Sequence, residues 1–236
     1  MPKTADYPPA PAELRNRLVL ALDVDDAVQA QRLAGELAPW FGVAKVGLEL
    51  FSAAGPRIVQ TLIDEGYRVF VDLKMADIPT TVSKAARVLG ALGVSYLTFH
   101  AFAGPVVLQA GVEGFLEGAD LAGLPEPSPL AVTILTSDTD APPHILGKRV
   151  ATAAEAGCAG VVCAASDVVE AKHLAPRLLA VVPGLRFAGS PVHDQLRSAT
   201  PAEALEAGAD LLVIGRAVTA AGDRIAAAAN IVASLS

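Results

Sequence analysis

Apolar runs alternate with helix-period segments along the whole chain, and this alternation constrains the fold more than any other feature. The runs are RLVLALDV (17–24), VAKVGLEL (43–50), RVFVDLKM (68–75), YLTFHA (96–101), PLAVTILTS (129–137), GVVCAA (160–165), LLAVVPGLR (178–186) and ADLLVIGRAV (209–218). Between them lie DDAVQAQRLAGELAPW, a segment near 55–65, PTTVSKAARVLGALG, segments near 105–117 and 145–156, and DVVEAKHLAPRL; an Ala-rich helix closes the chain. Strands separated by helices run parallel, because each return uses a crossover. Near-continuous Val, Ile and Leu suit strands covered on both faces. Eight such units in 236 residues predict an α/β fold, a parallel eight-stranded (β/α)8 TIM barrel. An open doubly wound sheet is the alternative. It is weakened because LALDVDDA stands where such a sheet would carry a GxGxxG turn.

No internal linker divides the chain, so residues 1–236 read as one barrel domain with a Pro/Ala-rich N-terminal tail at 1–12. The net charge of −7 argues against nucleic acid as a partner, since phosphate backbones need clustered Lys and Arg. A small anionic ligand needs only a local positive site and stays open. No apolar run reaches the roughly eighteen residues that span a membrane. MPKTADYPPAPAEL lacks the apolar stretch of a signal peptide. Cys158 and Cys163 lack CxxC spacing and read as small buried residues. A cytoplasmic location is the expectation.

In barrels of this kind, chemistry gathers at the C-terminal ends of the strands. Asp23 ends the first run and Lys45 lies in the second. The third carries Asp72 and Lys74, with Asp77 just beyond. His100 ends the fourth, Thr136 and Ser137 the fifth, Arg186 the seventh, and Gly215 with Arg216 the eighth. Bland readings exist for several. Asp23 suits a helix cap, His100 a satisfied core histidine, Arg216 a surface residue, and Asp77 a helix start ahead of Pro79. Lys45 in a central strand is harder to dismiss, because a buried ammonium needs an acid nearby. Asp72 and Lys74 lie two apart on a strand and so share a face, the barrel mouth.

These residues resemble the orotidine 5′-phosphate decarboxylase family over roughly 15–230. DLKMADIPTT fits the family's D-x-K-x-x-D-I-P-x-T signature at every fixed position, and LALDVDD, KVGLELF, LTS, PGLR…HDQLR and IGRAV follow in order. The resemblance implies a (β/α)8 barrel, a homodimer, no metal and no organic cofactor. It also implies conversion of orotidine 5′-monophosphate to UMP with loss of CO2, the last step of de novo pyrimidine nucleotide synthesis. By the same resemblance, Asp23 and Lys45 meet the ribose hydroxyls, and Lys45 joins a charge network with Asp72, Lys74 and Asp77. Asp72 lies beside the substrate carboxylate, and Lys74 protonates the carbon that loses CO2. Asp77 and Thr81 reach the neighbouring subunit's site. Thr136 lies near the pyrimidine, and Arg186, Gln195, Gly215 and Arg216 grip the phosphate. His193 in HDQLR stands where the resemblance leads one to expect an acid. A Gly-, Pro- and Ser-rich stretch at 187–200 reads as a loop that closes on the phosphate.

Decarboxylation leaves an electron pair on a ring carbon, and an ammonium such as Lys74 both stabilises that charge and delivers a proton. Two other readings stay open. Magnesium-dependent sugar-phosphate decarboxylases and hexulose-phosphate synthases share the third-strand pattern but carry an acid where Lys45 stands. A noncatalytic nucleotide- or phosphate-binding barrel would share the fold without the charge array.

Overall fold

The structure is a computed structural model describing residues 7–138, 140–185 and 199–235. Eight parallel strands close into a barrel in sequence order. They are β1 Leu18–Ala21, β2 Val43–Gly47, β3 Arg68–Met75, β4 Tyr96–His100, β5 Ser128–Val132, β6 Gly160–Val162, β7 Leu179–Val182 and β8 Leu211–Ile214. Around them run α1 Ala12–Arg15, α2 Ala27–Leu37, α3 Leu48–Ala54, α4 Pro56–Asp64, α5 Pro79–Ala91 and α6 Pro105–Leu121. The ring is completed by α7 His144–Glu155, α8 Val168–Leu174, α9 Pro201–Glu206, α10 Arg216–Thr219 and α11 Arg224–Ala233. The expected barrel is the observed one. Among the described residues, no helix is long and apolar enough to cross a membrane.

Strand ends differ from the apolar runs in an informative way. The run 43–50 stops pairing at Gly47, and its last residues begin α3. The run 129–137 pairs only to Val132, 178–186 to Val182 and 209–218 to Ile214. Apolarity continues past each strand because the following turn also packs on the core; Ile134, for example, is buried. The helical segment near 55–65 is preceded by a second short helix, with Gly55 at φ 62° between them, a left-handed turn that favours glycine. Proline at the first position opens α4, α5, α6 and α9, where its missing N–H costs nothing.

Alternation divides the side chains into two cores. Val19, Ala21, Val43, Phe70, Tyr96, Leu130, Val132, Val181, Leu211 and Val213 fill the barrel interior. Their strand neighbours face the helices, where Trp40, Phe41, Phe99 and Phe115 are fully buried. At the N-terminal mouth, Arg68 donates to the Tyr96 hydroxyl at 2.7 Å and to the Asn16 carbonyl. Arg17 donates to the Ala209 carbonyl at 2.7 Å, and Lys172 meets Asp210 at 2.6 Å. Those groups are consumed in closing that end, which leaves chemistry to the other. Of the Pro/Ala-rich stretch, the described part is seated on the barrel. Trp40 Nε1 donates to the Pro8 carbonyl at 3.1 Å, and the buried Ala10 donates its N–H to Pro39.

Helices α5 and α6 approach closely because glycines line the contact. A Cβ at Gly90 would overlap the Phe115 carbonyl oxygen, one at Gly114 that of Ser83, and one at Gly118 that of Arg87. The obstacle is backbone in each case, so no side chain can swing aside. Gly118→Ala is expected to lower unfolding free energy by about 1–3 kcal/mol, read from urea denaturation; an unchanged midpoint would show that the helices slide apart freely.

Candidate active site

Counting by twos along the strands carries the interior pattern upward to one polar layer. Val19 and Ala21 lead to Asp23, Val43 to Lys45, Phe70 to Asp72, Tyr96 to Thr98 and His100, and Leu211 and Val213 to Gly215. The mouth of the barrel therefore holds acids, amines and hydroxyls above an apolar floor.

Asp72 is the hub. Its carboxylate accepts from Lys74 Nζ at 2.8 and 2.9 Å and from Thr98 Oγ1 at 2.9 Å. Lys45 Nζ lies 3.8 Å from its second oxygen and 3.0 Å from Asp23 Oδ1. The result is a row of alternating sign: Asp23, Lys45, Asp72, Lys74. Burial grades along it, since the Lys45 and Asp72 side chains are 11% and 14% exposed while Asp23 is 55% exposed. The inner members are held, and both ends are more open, since the Lys74 side chain is 32% exposed. Gly47 makes room for this row; a Cβ there would stand 3.1 Å from Lys45 Nζ and 3.4 Å from Asp23 Oδ1.

Lys74 owes its position to an irregular strand. Pairing of β3 with β4 runs Val71 to Leu97 and resumes at Met75 to Phe99. Asp72, Leu73 and Lys74 thus oppose Thr98 alone. Lys74 takes φ 50°, the one positive φ outside glycine among the described residues. Left-handed backbone in a lysine is uncommon and strained. Two extra residues preserve the alternation, so Asp72 and Lys74 both face inward and crowd one hydroxyl.

The remaining candidates fall into three groups. A Cβ at Gly215 would stand 3.8 Å from Asp23 Oδ2, and Arg216 follows it, exposed at the first residue of α10. Thr136 is half-buried in a turn past the end of β5 rather than on the strand. Asp77 and Thr81 are exposed outside the hydrogen-bonded cluster, and Asp77 Oδ1 accepts from the next residue's amide at 2.6 Å. Arg186, His193 and Gln195 lie outside the described residues, as does most of the 187–200 loop.

His100 is buried at the mouth, its Nδ1 accepting from the Phe102 amide at 3.4 Å and its ring 4.4 Å from the Phe102 ring. Burial, then the charges of Arg149 and Lys74, push its pKa down, so the neutral ring prevails near neutrality. Cys158 and Cys163 are buried, and desolvation pushes both thiols up to about 12, where they are inert as nucleophiles. Sequence reasoning passed over Thr98. Its signal was present: Thr98 shares a face with His100, and a hydroxyl pointing into a barrel interior needs partners.

Residues 16–231 match the family model described as Orotidine 5'-phosphate decarboxylase / HUMPS family. The chain is 43% identical to the orotidine 5'-phosphate decarboxylase of Moorella thermoacetica, covering 94% of this chain and 92% of that protein. It is 44% identical to that of Anaeromyxobacter sp. strain K, covering 93% and 98%. The crystal structure of orotidine 5'-phosphate decarboxylase from Lactobacillus acidophilus superposes with a TM-score of 0.77 at 32% identity, covering 93% and 99%.

Proposed function

Because this chain belongs to the orotidine 5′-phosphate decarboxylase / HUMPS family, we propose that it is a carboxy-lyase converting orotidine 5′-monophosphate to UMP and CO2. The observation that carries this reading is the Asp23–Lys45–Asp72–Lys74 row at the barrel mouth. Substrate sits with its carboxylate toward Asp72 and its ring carbon toward Lys74. The bond between that carbon and the carboxylate breaks, and CO2 leaves. The electron pair stays on the ring carbon, and a proton from Lys74 Nζ forms the new C–H bond. Solvent then reprotonates the amine.

Repulsion between Asp72 and the substrate carboxylate falls as neutral CO2 forms. At an effective dielectric near 20, two unit charges about 4 Å apart interact by only ~4 kcal/mol. Enzymatic accelerations need roughly 8–23 kcal/mol, so repulsion is one contribution among several. Fixed charge at Lys74, where the carbanion develops, and binding energy gathered at the phosphate supply the rest.

In this reading Lys45 and Asp23 hold the ribose hydroxyls and Thr136 lies by the pyrimidine. Arg186, Gln195, Gly215 and Arg216 hold the phosphate. Arg216→Ala is expected to weaken UMP binding by about 10- to 100-fold while leaving uridine binding within a few-fold, measured by calorimetry. Equal losses for both ligands would make Arg216 a structural residue.

Asp77 and Thr81 act across a homodimer in the cytoplasm. Support comes from apolar side chains exposed at the starts of the two packed helices α5 and α6: Ile78 is 66% exposed, Phe102 62% and Val106 67%. An apolar rim on α5, α6 and their leading turns is the kind of surface a second copy covers.

A magnesium-dependent sugar-phosphate chemistry fits less well. Lys45 is a donor only, and it approaches the Asp72 oxygen that a cation would need. Incubation with orotidine 5′-monophosphate tests the proposal. UMP and CO2 in equal amounts support it, and recovered substrate would turn attention to sugar phosphates.

A further inference from the structure

We propose that Thr98 is a positioning residue for the proton donor: its hydroxyl pins the irregular turn of β3 that aims Lys74 at the ring carbon. The inference rests on the decarboxylase reading above and deepens it. Thr98 is completely buried, inside the barrel, with no solvent to satisfy it. Its Oγ1 donates to Asp72 Oδ1 at 2.9 Å and accepts from the Lys74 backbone N–H at 2.9 Å. One hydroxyl therefore ties the hub carboxylate to the donor's own backbone.

The strand register explains why a hydroxyl is needed there. In a regular parallel pair, a β3 amide would find a β4 carbonyl. Here three residues of β3 face Thr98 alone, so the ladder cannot serve them all. A buried amide without a partner costs more than a hydrogen bond returns. Thr98 Oγ1 replaces the missing carbonyl for Lys74. It does so at the residue whose φ of 50° departs from strand geometry. Strained backbone persists only where its surroundings fix it. The same oxygen cannot donate two ways. Its single proton goes to Asp72, so accepting from Lys74 N–H orients the hydroxyl and aims that proton. Asp72 in turn holds Lys74 Nζ at 2.8 Å. Backbone and side chain of the donor are thereby fixed through one threonine.

The test compares Thr98→Val, which keeps shape and removes the hydroxyl, with Thr98→Ser, which keeps the hydroxyl and removes the methyl. Thr98→Val is expected to lower kcat by about 10- to 100-fold, the size of a misplaced reacting group. KM and the Kd for UMP should stay within about threefold. Thr98→Ser should retain kcat within about threefold. A merely structural role would make the two variants fall together, and a kcat near wild type in Thr98→Val would overturn the proposal. A second readout needs no substrate. Amide exchange at Lys74, followed by NMR, should be about tenfold faster in Thr98→Val, matching one lost hydrogen bond; unchanged exchange would also overturn the proposal. Should Thr98→Val fail to fold, Thr98→Ala takes its place in both measurements against the same thresholds. Wild-type protein inert toward orotidine 5′-monophosphate would sink the decarboxylase reading, while exchange at Lys74 would still judge Thr98.

Discussion

Lys74→Ala is expected to lose at least about 10³-fold in kcat, because one side chain supplies both proton transfer and charge stabilisation at the reacting carbon. UMP affinity should change by no more than a few-fold. The product lacks the developing charge, so the ammonium contributes most where the reaction, not the ground state, needs it. Structure favours a clean outcome. The Lys74 side chain is 32% exposed, and truncating it leaves Asp72 with Thr98 at 2.9 Å and Lys45 at 3.8 Å. The hub thus keeps a donor and a cation, and the fold should survive. Turnover near the wild-type rate would remove Lys74 from the proton-donor role.

Asp72→Asn is expected to cost at least about 100-fold in kcat, and stability as well. An amide keeps the shape but not the charge. Lys45 retains Asp23 at 3.0 Å, whereas Lys74 has no other carboxylate among the described ion pairs. Breaking a buried pair costs about 3–5 kcal/mol in a dry interior. Solvent reaches Lys74, so screening cuts that figure. The –NH2 of asparagine would also turn a donor toward an ammonium or the Thr98 hydroxyl, and both already donate to Asp72. Thermal melting of Asp72→Asn should fall below that of Lys74→Ala, since one leaves an unpaired cation and the other leaves a carboxylate with partners. The reverse order would mean that Lys74, not Asp72, organises the row.

Much of this was legible in the sequence, for stated physical reasons. Eight apolar runs with helical spacers leave few topologies open, and the closed parallel barrel is among them. The rule that chemistry gathers at strand C-terminal ends picked out Asp23, Lys45 and Asp72, and a period of two put Asp72 and Lys74 on one face. Strand ends were less legible. Ile134 and Leu185 continue the apolar runs beyond the paired residues, and apolarity reports burial rather than hydrogen bonding. The irregular pairing at Asp72–Lys74 was illegible. Nothing in DLKM marks a positive φ, because the irregularity lies in the pairing with β4, a distant segment whose Thr98 Oγ1 accepts from the Lys74 amide. Thr136 was placed on a strand and lies in a turn, for the same reason that its run overshoots. Thr81 reads as a site residue only through resemblance, Asp77 also by its place just past the third strand, and in one chain both stand at the exposed rim.

Fixed charge at a barrel mouth, working without a metal, is the central claim, and one measurement tests it most directly. Protein dialysed exhaustively against EDTA is mixed with orotidine 5′-monophosphate, and the absorbance of the substrate ring is followed. The account predicts rapid loss of that absorbance at the rate of untreated protein, with UMP as product. Activity lost on dialysis and restored by magnesium would contradict it, and the Lys45 ammonium beside Asp72 would then be the feature in need of explanation.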